Sequence, residues 1–305
     1  MSTAANAVYT SERAPKLRKS EALKYAQLVC DSQGNVGDDI QSLAAALHLP
    51  RVDTTIDRER IHQWRGEGPV AVIMNGWFSG DPAAWPPPSS VRPVFVSFHV
   101  AERFKATIRE HASYLKQFEP IGTRDAASRD FLQSIGIKAE ITYCLTLTFP
   151  QRPSAPKNGK VYLVDATSIA VPQTLRKGAV KLSHTVAPIG HQATVPYARR
   201  LLDMYRDTAS LVITTRLHAA LPCIAMGIPV LFFGLPSDGR TAVVKDIGGT
   251  IYDARRHGKM FARGILGRAF EPVDWSPPPL DVTDIKRKLT GAVAKRLAVI
   301  EREYR

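Results

Sequence analysis

The sequence predicts an α/β protein made of two doubly wound domains in tandem with an amphipathic helix at the C-terminus. Three observations predict this. Apolar strand-type runs alternate with helix-period segments along almost the whole chain. A polar, proline-rich stretch, QRPSAPKNGK at 151–160, separates two such series. Finally, WSPPP breaks the chain ahead of a segment, 282–304, whose Ile285, Leu289, Val293, Leu297 and Ile300 fall on one helix face. A chain of 305 residues exceeds the typical single domain of ~100–150, so each series is long enough for its own core. The expected boundaries are a mobile basic tail at 1–22, an N-terminal domain at 23–152 and a C-terminal domain at 153–305 that ends in the helix.

YAQLVC at 25–30 reads as the first strand, and GNVGDDIQSLAAALHL as the turn and helix after it, with Ile40, Leu43, Ala44 and Leu47 on one face. Asp38 with Gln41 three residues later resembles a capping box. VAVIM at 70–74 and VFVSF at 94–98 suit buried parallel strands, with the prolines at 86–88 in the loop between. A helix over 101–116 follows, then IGTRD, then a helix at 126–135 capped by Asp125 and closed by Gly136. EITYCLTLTF ends the first half. The second half carries VYLVDAT, a strand in VKLSHTV at 180–186, a helix at 195–207, and strands LVIT at 211–214, IPVLFF at 228–233 and GTIYD at 249–253. Between the middle two strands runs a helix containing Pro222. Proline lacks an amide proton and is tolerated in a helix's first turn, which predicts a helix start near 218–221.

The composition excludes several classes. Hydrophobic residues make up 44%, ordinary for a globular protein, and no uninterrupted apolar run approaches the ~18–20 residues of a membrane span. MSTAANAVYTSERAPKLRKSEALK has positive charge but no signal-type apolar core, so a cytoplasmic location is expected. Cys30, Cys144 and Cys223 lack the paired spacing of a metal site or disulfide framework and read as reduced core residues; no metal is expected. The net charge of +13 implies an anionic partner. Its clusters (Lys16–Lys19, Arg199 with Arg200, Lys286–Lys288) lack the interleaved aromatics of a single-strand nucleic-acid platform, so nucleic acid is not the expected partner.

Chemistry is expected where strands end and helices begin, since open α/β sheets bind ligands at the carboxyl ends of their strands. TTRLHAALPC puts Arg216 and His218 at such a junction. Free amides there favour an anion, arginine offers a planar fork to carboxylate or phosphate, and histidine moves protons near neutral pH. In the turn GNVGDD, Asp38 reads as a base, a metal ligand or simply a helix cap; the turn lacks the full dinucleotide fingerprint and any Walker lysine. His99 ends VFVSFH, where it faces a ligand crevice or fills the core. Arg124 in GTRD precedes a helix as an anion clamp or pairs with Asp125 or Asp130, and Arg240 in SDGRT has the same two readings.

Three elements in order, GNVGDDIQSLAAA, RDAASRDFLQSIGI and TTRLHAALPCIAMGIPVLFF, resemble the polysaccharide pyruvyl transferase family over about residues 24–235. The resemblance implies two Rossmann-like domains facing a cleft, in the manner of B-type glycosyltransferases. It also implies transfer of pyruvate from phosphoenolpyruvate, with no cofactor, to a sugar or lipid-linked oligosaccharide of a bacterial exopolysaccharide, capsule or cell wall. The implied catalytic set is His218, Arg216, His99 and Asp38, and the implied substrate-binding set is Arg124, Asn35, Gly37, Thr215 and Leu217. One departure is visible: many members have an Asp-Pro pair where this chain reads CLTLTFP at 144–150. A basic surface and a lipid-linked acceptor imply peripheral contact with the inner face of the plasma membrane. Acceptor loops are expected around 75–92 and 165–195, with Trp64, Trp77 and Trp85 either stacking on sugar or packing internally. The alternatives are a two-domain glycosyltransferase using a nucleotide sugar, and a non-catalytic sugar-binding scaffold of polysaccharide assembly.

Overall fold

The computed structural model describes residues 22–31, 34–78, 81, 83, 85–235, 237–258 and 272–305; the tail expected at 1–22 lies outside them apart from Ala22. The first half of the chain supplies strands β1 (Lys24–Val29), β2 (Thr54–Asp57), β3 (Val70–Ile73), β4 (Gly76–Phe78), β5 (Val91–Val94), β6 (Phe98–Val100), β7 (Ile121–Thr123) and β8 (Ala139–Ile141). Its helices are α1 (Val36–Ala46), α2 (Lys105–Glu110), α3 (Ala112–Lys116) and α4 (Ala126–Ser134). The second half runs β9 (Lys160–Val164), α5 (Gln173–Arg176), β10 (Val180–Leu182), α6 (His191–Thr208), β11 (Ala209–Thr214), α7 (Leu217–Ala225), β12 (Val230–Gly234), α8 (Ala242–Asp246), β13 (Ile251–Asp253) and α9 (Thr283–Glu303).

The fold is mixed α/β with parallel sheets, and each ladder among the described residues is parallel. The sheet orders are β2-β1-β3-β5, β4-β6-β7-β8 and β10-β9-β11-β12-β13. Hydrogen bonds from Met74 N to Val94 O (2.8 Å) and Gly76 N to Ser97 O (3.0 Å) carry pairing across the break between the first two sheets. The strand expected at 94–98 is split because Ser97 adopts a left-handed φ of 60°, which no extended strand accommodates. The helix expected over 101–116 is likewise divided at His111, whose φ of −103° and ψ of 29° interrupt it. Asp125 does cap α4, its carboxylate accepting from Ser128 N at 2.9 Å. In α7 the start is Leu217, so Pro222 is its sixth residue rather than part of its first turn. The helix closes on Gly227 at φ +73°, with Ile228 N bonded to Cys223 O and Gly227 N to Ile224 O, a Schellman end that only glycine enters without strain.

One core cluster contains β1 and α1 residues such as Tyr25, Ile40 and Leu43 together with Tyr162, Val212 and Phe232 of the second half. Leu289, Val293, Leu297 and Ile300 of α9 are buried in the same cluster, following the expected face. Lys286 of α9 donates from Nζ to Phe149 O (2.7 Å) and Ala225 O (2.9 Å), charge-assisted bonds that satisfy two otherwise open carbonyls. Cys30, Cys144 and Cys223 are buried and free. Among the described residues no helix is long and apolar enough to cross a membrane.

Candidate active site

In the sheet order β10-β9-β11, the first and third strands of the second half lie side by side while the connections after them diverge, which opens a crevice at their carboxyl ends. A pocket of about 330 Å³ lies there, walled by Asn35, Gly37 and Asp38 on one side, by Thr215, Arg216, Leu217 and His218 on the other, and by Arg124. These eight were expected at a site from the sequence, and the fold gathers them although they come from three distant segments.

The first wall is the mouth of α1. Its cap is Asn35, whose Oδ1 accepts from Gly37 N at 3.1 Å; the capping box expected at Asp38 is therefore displaced, and Asp38 is the third helical residue. Gly34 cannot carry a side chain, because a Cβ there would lie 1.8 Å from Val186 O. That close approach lets Val186 N bond Gly34 O (2.8 Å) and Val36 N bond His184 O (2.9 Å), tying this mouth to the loop after β10. Asp38 accepts from Asn35 Nδ2 (3.0 Å), Gln41 Nε2 (3.2 Å) and the buried Arg58 (3.0 Å), so its charge is already neutralised.

The opposite wall is the mouth of α7. Arg216 occupies its N-cap position without a side-chain cap bond, which leaves the first-turn amides open toward an anion. Arg216 donates from Nε to Asp165 Oδ2 at 2.7 Å and from Nη2 to Thr185 at 2.5 Å. Asp165 also receives Ser183 Oγ (2.6 Å) and His184 N (2.9 Å); burial opposes its ionisation, but these donors and the Arg216 charge hold its carboxyl below the usual range. Thr215 fixes the same corner by donating to Asp165 O at 2.9 Å.

Among the titratable side chains that line the pocket, His218 is the most perturbed. Its Nε2 is buried with no partner among the described residues. Burial, and then the Arg124 charge, push its pKa down to about 3 against the opposing pull of Asp38; the imidazole is neutral near pH 7. Across the pocket His184, fully enclosed and bonded through Nε2 to Tyr205 (2.9 Å), is pushed down to about 4, mainly by burial. Arg124 is only 2% exposed, and its Nε has no hydrogen-bond partner among the described residues. The nearest carboxylate, Asp125, stands 3.8 Å away and is already engaged by His99 and Ser128. Arg216, Arg58 and Arg240 each have a carboxylate within 3.0 Å, Asp165, Asp38 and Asp238 respectively, whereas the ion pair of Arg124 with Asp125 is long, at 3.8 Å. A buried guanidinium with an open donor is suited to an oxyanion.

His99 is not part of this wall. It is buried, with Nδ1 2.6 Å from Asp125 Oδ2 and 3.3 Å from Ser128 Oγ, and burial and the Arg124 charge lower its pKa although Asp125 pulls upward. Trp85 is a core residue packed edge-on to Phe104 and Tyr114, so it stacks on no ligand; Trp64 is partly buried with Nε1 enclosed, and the side chain of Trp77 lies outside the described residues. The sequence reading missed His184, Asp165, Asp238 and Thr241. Asp165 was accessible to it, since it ends the VYLVD strand by the rule that flagged Thr215. Arg58 carried no signal, because its partner Asp38 lies twenty positions earlier in the chain.

Among the described residues no group of three or more His, Cys, Asp or Glu side chains is placed to hold a metal ion. No curated protein matches the chain. Among solved structures, one from Klebsiella pneumoniae subsp. pneumoniae NTUH-K2044, a functionally uncharacterized protein, is similar at 13% identity and a TM-score of 0.45, covering 74% of this chain and 88% of that one. The model of one protein family, polysaccharide pyruvyl transferase, matches residues 35–237, a span that includes the pocket-lining residues except Asp238, Arg240 and Thr241. Matched over most of its length, the chain belongs to the polysaccharide pyruvyl transferase family.

Proposed function

We propose that this protein transfers pyruvate from phosphoenolpyruvate to two hydroxyls of a sugar in a bacterial polysaccharide or its precursor, forming a ketal. The observation that carries this reading is Arg124, a buried guanidinium with an open donor, set beside the uncapped mouth of α7 and the neutral His218. Phosphoenolpyruvate presents a phosphate and a carboxylate on one small carbon frame. Arg124 and the α7 amides take one group and Arg216 the other, the match between planar fork and oxyanion that arginine offers.

The reaction then runs by proton transfer and charge stabilisation. Burial, and then the Arg124 charge, lower the affinity of His218 for a proton; a bound dianion offsets the second and adds negative charge beside the ring, which favours the protonated imidazole when the donor is in place. His218 gives that proton to the methylene carbon. The cationic C2 is attacked by the first sugar hydroxyl, whose proton returns to His218. Phosphate leaves against Arg124 and carries away the proton of the second hydroxyl, which closes the ring at C2. Asp38, engaged by three donors, orients the α1 mouth instead. Phosphoenolpyruvate is a cytoplasmic metabolite, which places the reaction in the cytoplasm.

The test is a thermal-shift titration with phosphoenolpyruvate and with a panel of nucleotide sugars, followed by phosphate release in the presence of candidate acceptors. A ligand at 100 times its Kd adds about 2.7 kcal/mol to the folded state. The expected result is stabilisation by phosphoenolpyruvate that is lost in Arg124→Ala. Stabilisation by a nucleotide sugar alone makes the protein a glycosyltransferase and ends the pyruvyl mechanism.

A further inference from the structure

A second cavity, of about 410 Å³, opens on the opposite face of the five-stranded sheet of the second half. Side chains alternate along a strand: Tyr162 and Val164 of β9 enter the large core beneath the candidate active site, whereas Leu163 points the other way, into a separate cluster with Ala166 and Ile169. The connection from β9 to the edge strand β10 explains the opening. A crossover in a doubly wound sheet normally lays a long helix over this face. Here the crossover helix, α5, has only four residues; its Leu175 packs on the cluster, but a cavity remains beside it, at whose base the buried side chains of Leu163, Ala166 and Ile169 form an apolar floor. Around that floor stand Arg176 and Lys177 from the end of α5 and Lys181 from β10. All three are exposed, and none is ion-paired among the described residues.

We propose that this cavity docks the phosphate headgroup of an anionic lipid, attaching the protein peripherally to a membrane surface. The charge complementarity is specific to that occupant. Three unpaired cations suit a phosphodiester, and the apolar floor beside them suits the glycerol and first methylenes that follow it, which a free inorganic anion does not possess. The chain's net charge of +13 adds long-range attraction to the same surface. The cavity shares no lining residue with the candidate active site, so the inference does not depend on the pyruvyl reading.

Co-sedimentation with vesicles tests it, using pure phosphatidylcholine and phosphatidylcholine containing phosphatidylglycerol. The two proteins to compare with wild type are Arg176→Gln/Lys177→Gln/Lys181→Gln and a control that loses the same charge elsewhere, Arg199→Gln/Arg200→Gln/Lys288→Gln. Unchanged melting temperatures establish that both variants fold. At roughly a factor of five in affinity for each cation near an anionic surface, the cavity variant is expected to bind anionic vesicles about a hundredfold more weakly, while the control stays within about threefold of wild type. Equal weakening of both variants assigns the attraction to diffuse charge and overturns the proposal. So does a wild-type protein that ignores anionic vesicles or binds neutral ones equally. A melting shift with inorganic phosphate that depends on the cavity residues, without vesicle binding, makes the site one for a soluble anion and also overturns it.

Discussion

Acidification is expected to destabilise this protein through the fully buried His184 and the pocket-lining, half-buried His218, and the size of the effect follows from their surroundings. His184 and His218 are held neutral, at about 4 and about 3 respectively, chiefly by burial. Both values lie below the ~6.5 of an unfolded histidine. The stabilising neutral form is therefore fully present above pH ~6.5, and its contribution is lost as pH falls, because the unfolded chain takes up protons that the folded chain refuses. Between pH 7 and pH 5 each histidine withdraws about 2 kcal/mol. Asp39 acts in the opposite sense. Burial raises it to about 6, so the folded carboxyl takes a proton before the unfolded one does and acidification returns about 1 kcal/mol over the same interval. From these three groups together the loss is about 3 kcal/mol, a large share of the ~5–15 kcal/mol typical of a folded protein. Urea unfolding at the two pH values measures it. His184→Gln, which retains a partner for Tyr205, is expected to reduce the loss by about 2 kcal/mol. An unchanged pH dependence in that variant refutes the assignment of the acid sensitivity to the enclosed imidazole.

Gly37→Ala tests the contact between the two helix mouths. A Cβ at Gly37 would stand 3.2 Å from both Cβ and Nδ1 of His218 and 3.1 Å from Asn35 Oδ1, while alanine favours the helix by up to ~1 kcal/mol. Unfolding free energy is expected to change by less than about 1 kcal/mol while phosphate release from phosphoenolpyruvate falls by more than about tenfold, since ångström-scale misplacement of a reacting group costs rate rather than stability; full activity would mean His218 is not positioned by this contact. Asp165→Asn removes the charge that fixes Arg216 through Nε. With the fork released, KM for phosphoenolpyruvate is expected to rise by about tenfold, equivalent to ~1.4 kcal/mol of binding, and steady-state kinetics showing kcat lost with KM unchanged would place Arg216 outside donor binding.

Much of this protein was legible in the sequence because the signals are local. Alternating apolar runs mark the strands and Asp125 caps the helix after it. Gly136, at φ 75°, closes that helix, and the face Leu289, Val293, Leu297 and Ile300 buries α9; each of these depends on neighbours within a few residues. The same locality brought Arg124, Arg216 and His218 to attention, since each stands where a strand gives way to a helix. The positive φ of Ser97 that splits one strand, by contrast, has no marker in VFVSF. The tertiary structure alone decided the electrostatic identity of the site. That Arg58 neutralises Asp38, that Asp165 fixes Arg216, and that His99 turns to Asp125 and away from the pocket wall, leaving Arg124 Nε without a hydrogen-bond partner among the described residues, are all facts of contact between segments tens of residues apart. Charge in a protein takes its meaning from burial and from the nearest opposite charge, and a linear sequence records neither.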